Sequence, residues 1–347
     1  MPRRLAEVLR CTWPAEMPDP PAATAQALER AAAILRRGGL VAIPTETVYG
    51  LAADALDVEA VAGIFHAKGR PASNPLIVHV ADVAMARSLA ASWPPAAAAL
   101  AARLWPGPVT VVVPRGPRVP DAVTAGGPTV ALRCPDHRLA RRLIELAGVP
   151  LAAPSANRSE SVSPTTAQHV LDGLGDRVEL ILDGGPCGRG IESTVVDCTT
   201  DPPRILRPGP LDRAALEAVV GGPVAWPSTD GAADVARSPG QQPRHYAPRA
   251  PLELAADAAG RAAALLDAGH RVGLVTTAIA DPAMRALAAR REVMVVPMPD
   301  DPAAYARVLY ATLHGLDQRA VDRIVVAEPP DDEAWRAVRD RLRRAAT

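Results

Sequence analysis

Apolar and polar positions along this chain fall into two rhythms. Helical spacing runs over Thr24–Arg37, with Leu28, Ala31, Ala32 and Leu35 on one face and Gly38-Gly39 at the end, where glycine closes a helix. Leu40–Ile43 reads as a short buried strand, Val58–Ala67 as a helix and Leu76–Val78 as a strand that delivers His79. Helices are expected at Ala81–Ala91 and Ala96–Leu104, and β-branched runs predict strands at Val109–Val113 and Thr129–Arg133. Asp136–Ala147 is a helix with an acid at its start, and Leu151–Ala153 a strand. Ser163 as N-cap and Pro164 at the first position predict the helix Thr165–Leu174. Strands Leu180–Leu182, Thr194–Val196 and Arg204–Leu206 precede a helix near Asp212–Val220, and the Pro-rich residues before about 22 read as an extended arm.

From Gly221 to about Ala250 no period survives. The stretch holds Ser238-Pro239-Gly240 and Arg244-His245-Tyr246-Ala247-Pro248, and structureless segments of that length are usually functional or disordered. The rhythm then resets as strands Leu252–Leu254, Val272–Thr276, Val293–Val296 and Arg323–Val326, which alternate with helices Asp257–Ala268, Pro282–Arg290, Ala303–Leu316 and Glu333–Arg344. Such alternation predicts a small parallel α/β domain, Rossmann-like in layout. It lacks a glycine fingerprint, so no nucleotide site is inferred there. The expected organisation is a catalytic domain over residues 1–222, a linker or lid over 223–250, and a C-terminal α/β domain over 251–347.

Composition narrows the function. A length of 347 residues fits two domains, and cores must be aliphatic because aromatics make up only 3%. Formal net charge is zero, which argues against a protein whose main task is gripping nucleic-acid phosphates, while leaving room for one basic cleft. Cys11, Cys134, Cys187 and Cys198 are scattered, as free thiols in a reducing cytosol would be. No histidine pair has metal spacing, no apolar run reaches the roughly 18 residues of a membrane span, and no signal peptide precedes the arm. A cytoplasmic protein without a membrane partner is expected.

Lys68 is the single lysine among 38 Lys and Arg residues, a hint that a compact ammonium is needed there and a planar guanidinium will not serve. It opens the stretch Lys68–His79, where Gly69, Pro71 and Pro75 fix an irregular backbone carrying Arg70, Ser73 and Asn74. Three more polar clusters, Thr45–Thr47, Ser155–Ser163 and Glu192–Thr194, also sit where strands end, and Arg133 and Arg207 lie at or just past strand ends; open α/β sheets bind ligands at such ends. There is no Walker loop and no GxSxG elbow. Glu46 and Glu192 read as buried partners of backbone groups more readily than as metal ligands. The remaining inventory, one Lys with several Arg, hydroxyl and amide groups, suits an anionic ligand and phosphoryl or nucleotidyl transfer by positioning and charge stabilisation.

Taken together, Pro44–Gly50, Lys68–His79, Trp105–Thr110, Ala131–Pro135, Ala152–Thr165, Gly190–Asp197, Arg204–Gly209 and Ser238–Pro248 resemble the YrdC/YciO family, in its long two-domain form. The resemblance implies an N-terminal twisted, open, mixed α/β sheet around a basic cleft. It implies a nucleotidyltransferase that forms threonylcarbamoyl-adenylate and diphosphate from L-threonine, bicarbonate and ATP. Mg²⁺ would arrive with the phosphates, and a tRNA-modifying transferase complex would receive the product, with weak or no direct tRNA binding by this chain. By motif position, Thr47, His79, Arg133, Ala153 and Ser193 would contact threonine. Arg70, Asn74, Thr129, Ser155, Asn157, Ser163, Arg207 and Tyr246 would contact ATP. Lys68 and Arg70 would carry the catalytic charge stabilisation, and Tyr246 would ride on a lid. Two positions depart from the pattern: Glu160, where the family usually has glycine and where pairing with Arg158 in solvent is expected, and Gln242-Pro243, where it usually has Lys-Tyr. An RNA-binding module using the basic cleft, and a carbamoyl-transfer module acting on another substrate, are the competing readings.

Overall fold

In chain order the first unit of this computed structural model contains β1 (Glu7–Arg10), α1 (Ala22–Arg36), β2 (Val41–Ile43), β3 (Gly50–Asp54), α2 (Val58–Lys68), β4 (Ile77–His79), α3 (Val83–Arg87), α4 (Pro95–Leu104) and β5 (Val109–Pro114). It continues with α5 (Asp121–Thr124), β6 (Thr129–Arg133), α6 (Arg138–Ala147), β7 (Leu151–Ala152), α7 (Ala167–Leu174), β8 (Leu180–Asp183), β9 (Thr194–Asp197), β10 (Arg204–Arg207) and α8 (Arg213–Val220). The residues described are 5–226, 245–278 and 281–346; the Ser238-Pro239-Gly240 motif, the Gln242-Pro243 departure and Arg244 lie outside them. Compact packing groups Met1–Ser159 with Ser163–Gln241, and Glu160–Val162 with Gln242–Thr347.

The first unit is built on a ten-stranded mixed sheet in the order β1-β8-β2-β3-β7-β4-β6-β5-β9-β10. The amino-terminal arm expected to be merely extended supplies its edge strand, since Glu7–Arg10 pairs in parallel with Leu180–Asp183. A four-residue strand whose partner lies far along the chain has no local signature. The one strand missed between polar clusters, β3, is held by its near neighbour β2 on one side and by the distant β7 on the other. The helix expected to start at Thr165 starts at Ala167, capped by Thr166, whose hydroxyl accepts from His169 N–H. Ser163 is instead drawn to Glu192. The Ala81–Ala91 helix shrinks to α3, and α6 begins after His137, so Asp136 lies outside it.

Alternation on the strands explains where a site can be. One face of the sheet carries Ala42, Leu51, Ala53, Val78, Val111, Leu132, Ala152 and Val196 into the main core. On the other face, α1 and α6 pack Leu28, Leu35, Leu139 and Leu143 over Val41, Ile43, Ala52, Leu151 and Ala153, covering the half around β2, β3 and β7. Beyond β7 the same face carries a small apolar cluster only: Ile77, Val112, Ala131 and Val195, with Leu206 beside it.

The second unit is more regular. Its strands β11 (Leu252–Ala255), β12 (Val272–Thr276), β13 (Val293–Pro297) and β14 (Arg323–Ala327) form an all-parallel sheet in the order β11-β14-β12-β13. Helices α9 (Ala258–Asp267), α10 (Pro282–Ala288), α11 (Pro302–Gln318) and α12 (Arg336–Ala345) complete it, with α9 packed on α10 and α11 on α12. Asp257, Asp281 and Asp301 cap the first three helices through their side chains. An aspartate cap occupies the N–H groups that would otherwise receive a phosphate.

Candidate active site

The polar candidates are united by a face of the sheet more than by strand ends. In β6, period two puts Thr129, Ala131 and Arg133 on the side of the small apolar cluster; in β4 it puts Ile77 and His79 there. The neighbouring strands add Thr110 with Val112, and Ser193 preceding Val195 at the matching register. Thr129 and Arg133 sit at opposite ends of one strand yet share this face, because four residues are two full periods of alternation. The expectation of a common strand edge is thereby corrected: what these residues share is the uncovered half-face.

At one end of that face, His79 and Arg133 are register partners on adjacent parallel strands. Arg133, 4% exposed, directs Nε to the Gly107 carbonyl at 3.4 Å and brings Nη2 within 2.7 Å of Glu46 Oε1. That contact reaches down from the Thr45–Thr47 loop, which is tied internally by Thr45 Oγ1, 2.9 Å from Thr47 Oγ1 and donating to Val48 O at 2.6 Å. Burial, and then the Arg133 charge, push the His79 imidazole down to about 3, so it is neutral around pH 7. Burial pushes the Cys187 thiol up to about 12, so no thiolate nucleophile lies beside this loop.

Arg207 and Ser193 form a second knot. Arg207 donates Nε and Nη2 to Ser193 O at 3.1 and 3.0 Å, and Nη2 reaches Ser193 Oγ at 3.1 Å. Ser193 Oγ also lies 2.7 Å from Thr110 Oγ1. Gly209 permits this approach: a Cβ there would fall 2.3 Å from Thr194 N. Thr110 was not singled out from sequence, although a threonine interrupting the valines of β5 was the available signal.

The third group is the loop after α2. Asp57 caps the helix, Lys68 is its last residue, and Gly69 closes it in the left-handed conformation at φ 61°. Lys68 is 3% exposed, and its ammonium donates to Ser155 O at 2.6 Å, to Asn157 O, and to Asn157 Oδ1 at 3.5 Å. Burial drives its pKa well below the ordinary value and Arg70 pushes the same way, while Glu192 opposes them. Three acceptors match the three donors of an ammonium, a fit the guanidinium fork lacks. Arg70 donates to Asn74 O and Pro75 O at 3.1 and 2.9 Å and so shapes its own loop. Ser163 Oγ donates to Glu192 Oε1 at 2.6 Å, and Ala153 N–H bonds Ile77 O at 3.0 Å. Both glutamates thus meet side chains: Glu46 meets Arg133 and Glu192 meets Ser163. Arg158 does not pair with Glu160; its Nε donates to Gly173 O at 3.2 Å.

Tyr246 belongs to the second unit. Its ring, 1% exposed, stacks on Tyr310 at 5.7 Å and 27°, with the Arg341 guanidinium carbon 5.2 Å from its centroid. Among the described residues no group of three His, Cys, Asp or Glu side chains is placed to hold a metal ion, and no helix is long and apolar enough to cross a membrane.

The mixed α/β sheet gathers arginine, hydroxyl and neutral imidazole groups on one half-face, and the chain belongs to the Sua5/YciO/YrdC family. That family, described as telomere recombination, matches residues 33–209, and a threonylcarbamoyl-AMP synthase C-terminal domain matches residues 211–347. A threonylcarbamoyl-AMP synthase of Bacillus subtilis is 39% identical over 344 residues, covering 96% of this chain and 97% of its own. A synthase of the same name from Pyrococcus abyssi is 42% identical over 325 residues, covering 91% of this chain and 93% of its own. The crystal structure of P. abyssi Sua5 complexed with L-threonine superposes with a TM-score of 0.85 at 39% identity, covering 98% of both chains.

Proposed function

We propose that the chain is a threonylcarbamoyl-AMP synthase, a nucleotidyltransferase that joins L-threonine, bicarbonate and ATP into threonylcarbamoyl-adenylate with release of diphosphate. The observation that carries this reading is the assembly of Arg133, His79, Ser193 and Arg207 on the half-face that α1 and α6 leave uncovered. It is supported by full-length relatives that bear the synthase name.

In this reading Arg133 takes the threonine carboxylate in a charge-assisted pair. Thr47, the neutral His79, Ser193 and the Ala153 backbone address its remaining polar groups. The amine attacks the carbon of bicarbonate with loss of water, and an oxygen of the resulting carbamate attacks the α-phosphorus, expelling diphosphate. Arg70 and Arg207 neutralise charge on the phosphate oxygens, and Asn74, Thr129, Ser155, Asn157 and Ser163 position the nucleotide. Lys68 acts from beneath, pinning the Ser155–Asn157 turn on which two of those residues sit. Mg²⁺ accompanies the nucleotide as its counter-ion; the carboxylates at the site are engaged by Arg133 and Ser163 and form no cage for it. The product passes to a tRNA-modifying transferase complex in the cytoplasm.

The test is ATP–diphosphate exchange. Exchange that requires both threonine and bicarbonate is expected; equal exchange without threonine would defeat the reading. An RNA-binding module and carbamoyl transfer to a different acceptor are not favoured, since the full-length relatives carry the synthase name.

A further inference from the structure

The face described above leaves hydrogen-bonding capacity unspent in one place. Glu46 Oε1 and Oε2, Arg133 Nη2 and His79 Nδ1 are all buried, and none makes a hydrogen bond. The Glu46–Arg133 approach at 2.7 Å is an ion contact without hydrogen-bond alignment. A pair kept only for stability would be expected to close its hydrogen bonds, because buried polar groups left unmatched are costly. The contrast with the site's other buried carboxylate is direct: Glu192 accepts the Ser163 hydroxyl at 2.6 Å.

Threonine enters as a zwitterion. Arg133 supplies a cation for its carboxylate, but the five positions read as threonine contacts, Thr47, His79, Arg133, Ala153 and Ser193, include no anion for its ammonium. Glu46 is next in the chain to Thr47, touches the Arg133 guanidinium, and carries two oxygens with acceptor capacity to spare. A cation and an anion in contact, each incompletely bonded, form a template for the α-carbon end of an amino acid, whose two charged groups are themselves held close together. Resting on the synthase reading, we propose that Glu46 is the acceptor that binds the α-amino group of the amino-acid substrate and makes the site selective for α-amino acids over simple hydroxy acids. In the empty site it stands in for the substrate carboxylate beside Arg133 and neutralises it. On binding, the substrate carboxylate shares Arg133, and the substrate ammonium fills the Glu46 oxygens.

The experiment is calorimetric titration of the full chain with L-threonine and with its deamino analogue, (R)-β-hydroxybutyrate. Wild-type protein should bind threonine at least about tenfold more tightly, the contribution typical of a charge-assisted hydrogen bond. Glu46→Gln should weaken threonine by a similar factor while leaving the analogue within about twofold. Equal wild-type affinity for the two ligands would overturn the proposal whether or not the variant folds. So would a folded Glu46→Gln protein that keeps wild-type threonine affinity, or one that loses both ligands equally, the mark of a residue that only holds Arg133. Failure of wild-type protein to bind threonine at all would instead count against the synthase reading itself.

Discussion

The two units solve the same α/β problem with opposite outcomes. In the second, every strand runs parallel, each is followed by a helix, and aspartates seal the helix starts at Asp257, Asp281 and Asp301. In the first, strands run both ways, α1 and α6 leave half of one face uncovered, and irregular loops set Glu46 against Arg133 and Lys68 against Asn157. Regularity satisfies the backbone and leaves little for a ligand to complete; irregularity leaves polar groups in fixed places with capacity to spare. On the synthase reading, the chemistry belongs to the unit that breaks the pattern.

The sharpest way to break this contrast is Arg133→Ala. It should lower threonine affinity by about a hundredfold or more, and by isolating buried Glu46 it should cost about 3–5 kcal/mol of stability. Denaturant titration should show that pairing it with Glu46→Gln restores much of the stability, while calorimetry finds binding still absent. The next effect is on pH. His79 falls to about 3 in the folded chain from an unfolded value near 6.5, so the unfolded state takes up the proton first as pH drops. The stability due to a neutral His79 is complete above the unfolded pKa and is lost between about pH 6.5 and 3, at up to about 1.4 kcal/mol per pH unit. Acid unfolding of His79→Gln should lack that contribution. Asp257→Ala, in the regular unit, should cost about 1 kcal/mol through the lost cap to Gly260 N–H, with ATP–diphosphate exchange unchanged. The smallest effect is expected from Glu160→Gly. Glu160 holds a left-handed φ of 67°, a conformation natural to glycine, so this change should stabilise by under about 1 kcal/mol, read as a higher denaturant midpoint.

Glu160 also shows what a single chain reveals. Its departure from the family pattern was visible as a letter, but its left-handed backbone was not, because it forms where Ala247 N–H, from far along the chain, bonds its carbonyl at 2.8 Å. Lys68 was conspicuous as a lone lysine, yet the Ser155 and Asn157 acceptors that explain it became visible only when two distant loops met. Strands such as β12 and helices such as α2 were legible because period and caps are local; β1 was not, because its partner β8 is remote, and β3 is completed only by the equally remote β7.

The sequence by itself determined the order of elements, the resetting of the pattern in the second unit, and the inventory of arginine, hydroxyl and imidazole groups. Period two already obliged Thr129, Ala131 and Arg133 to share a side. Only the tertiary structure decided which side of the sheet α1 and α6 would cover, and hence that these residues stand on the half-face those helices do not reach, beside Glu46 and His79. The reason is physical: alternation along a strand is a property of its own backbone, whereas which face is buried depends on every other element competing to cover it.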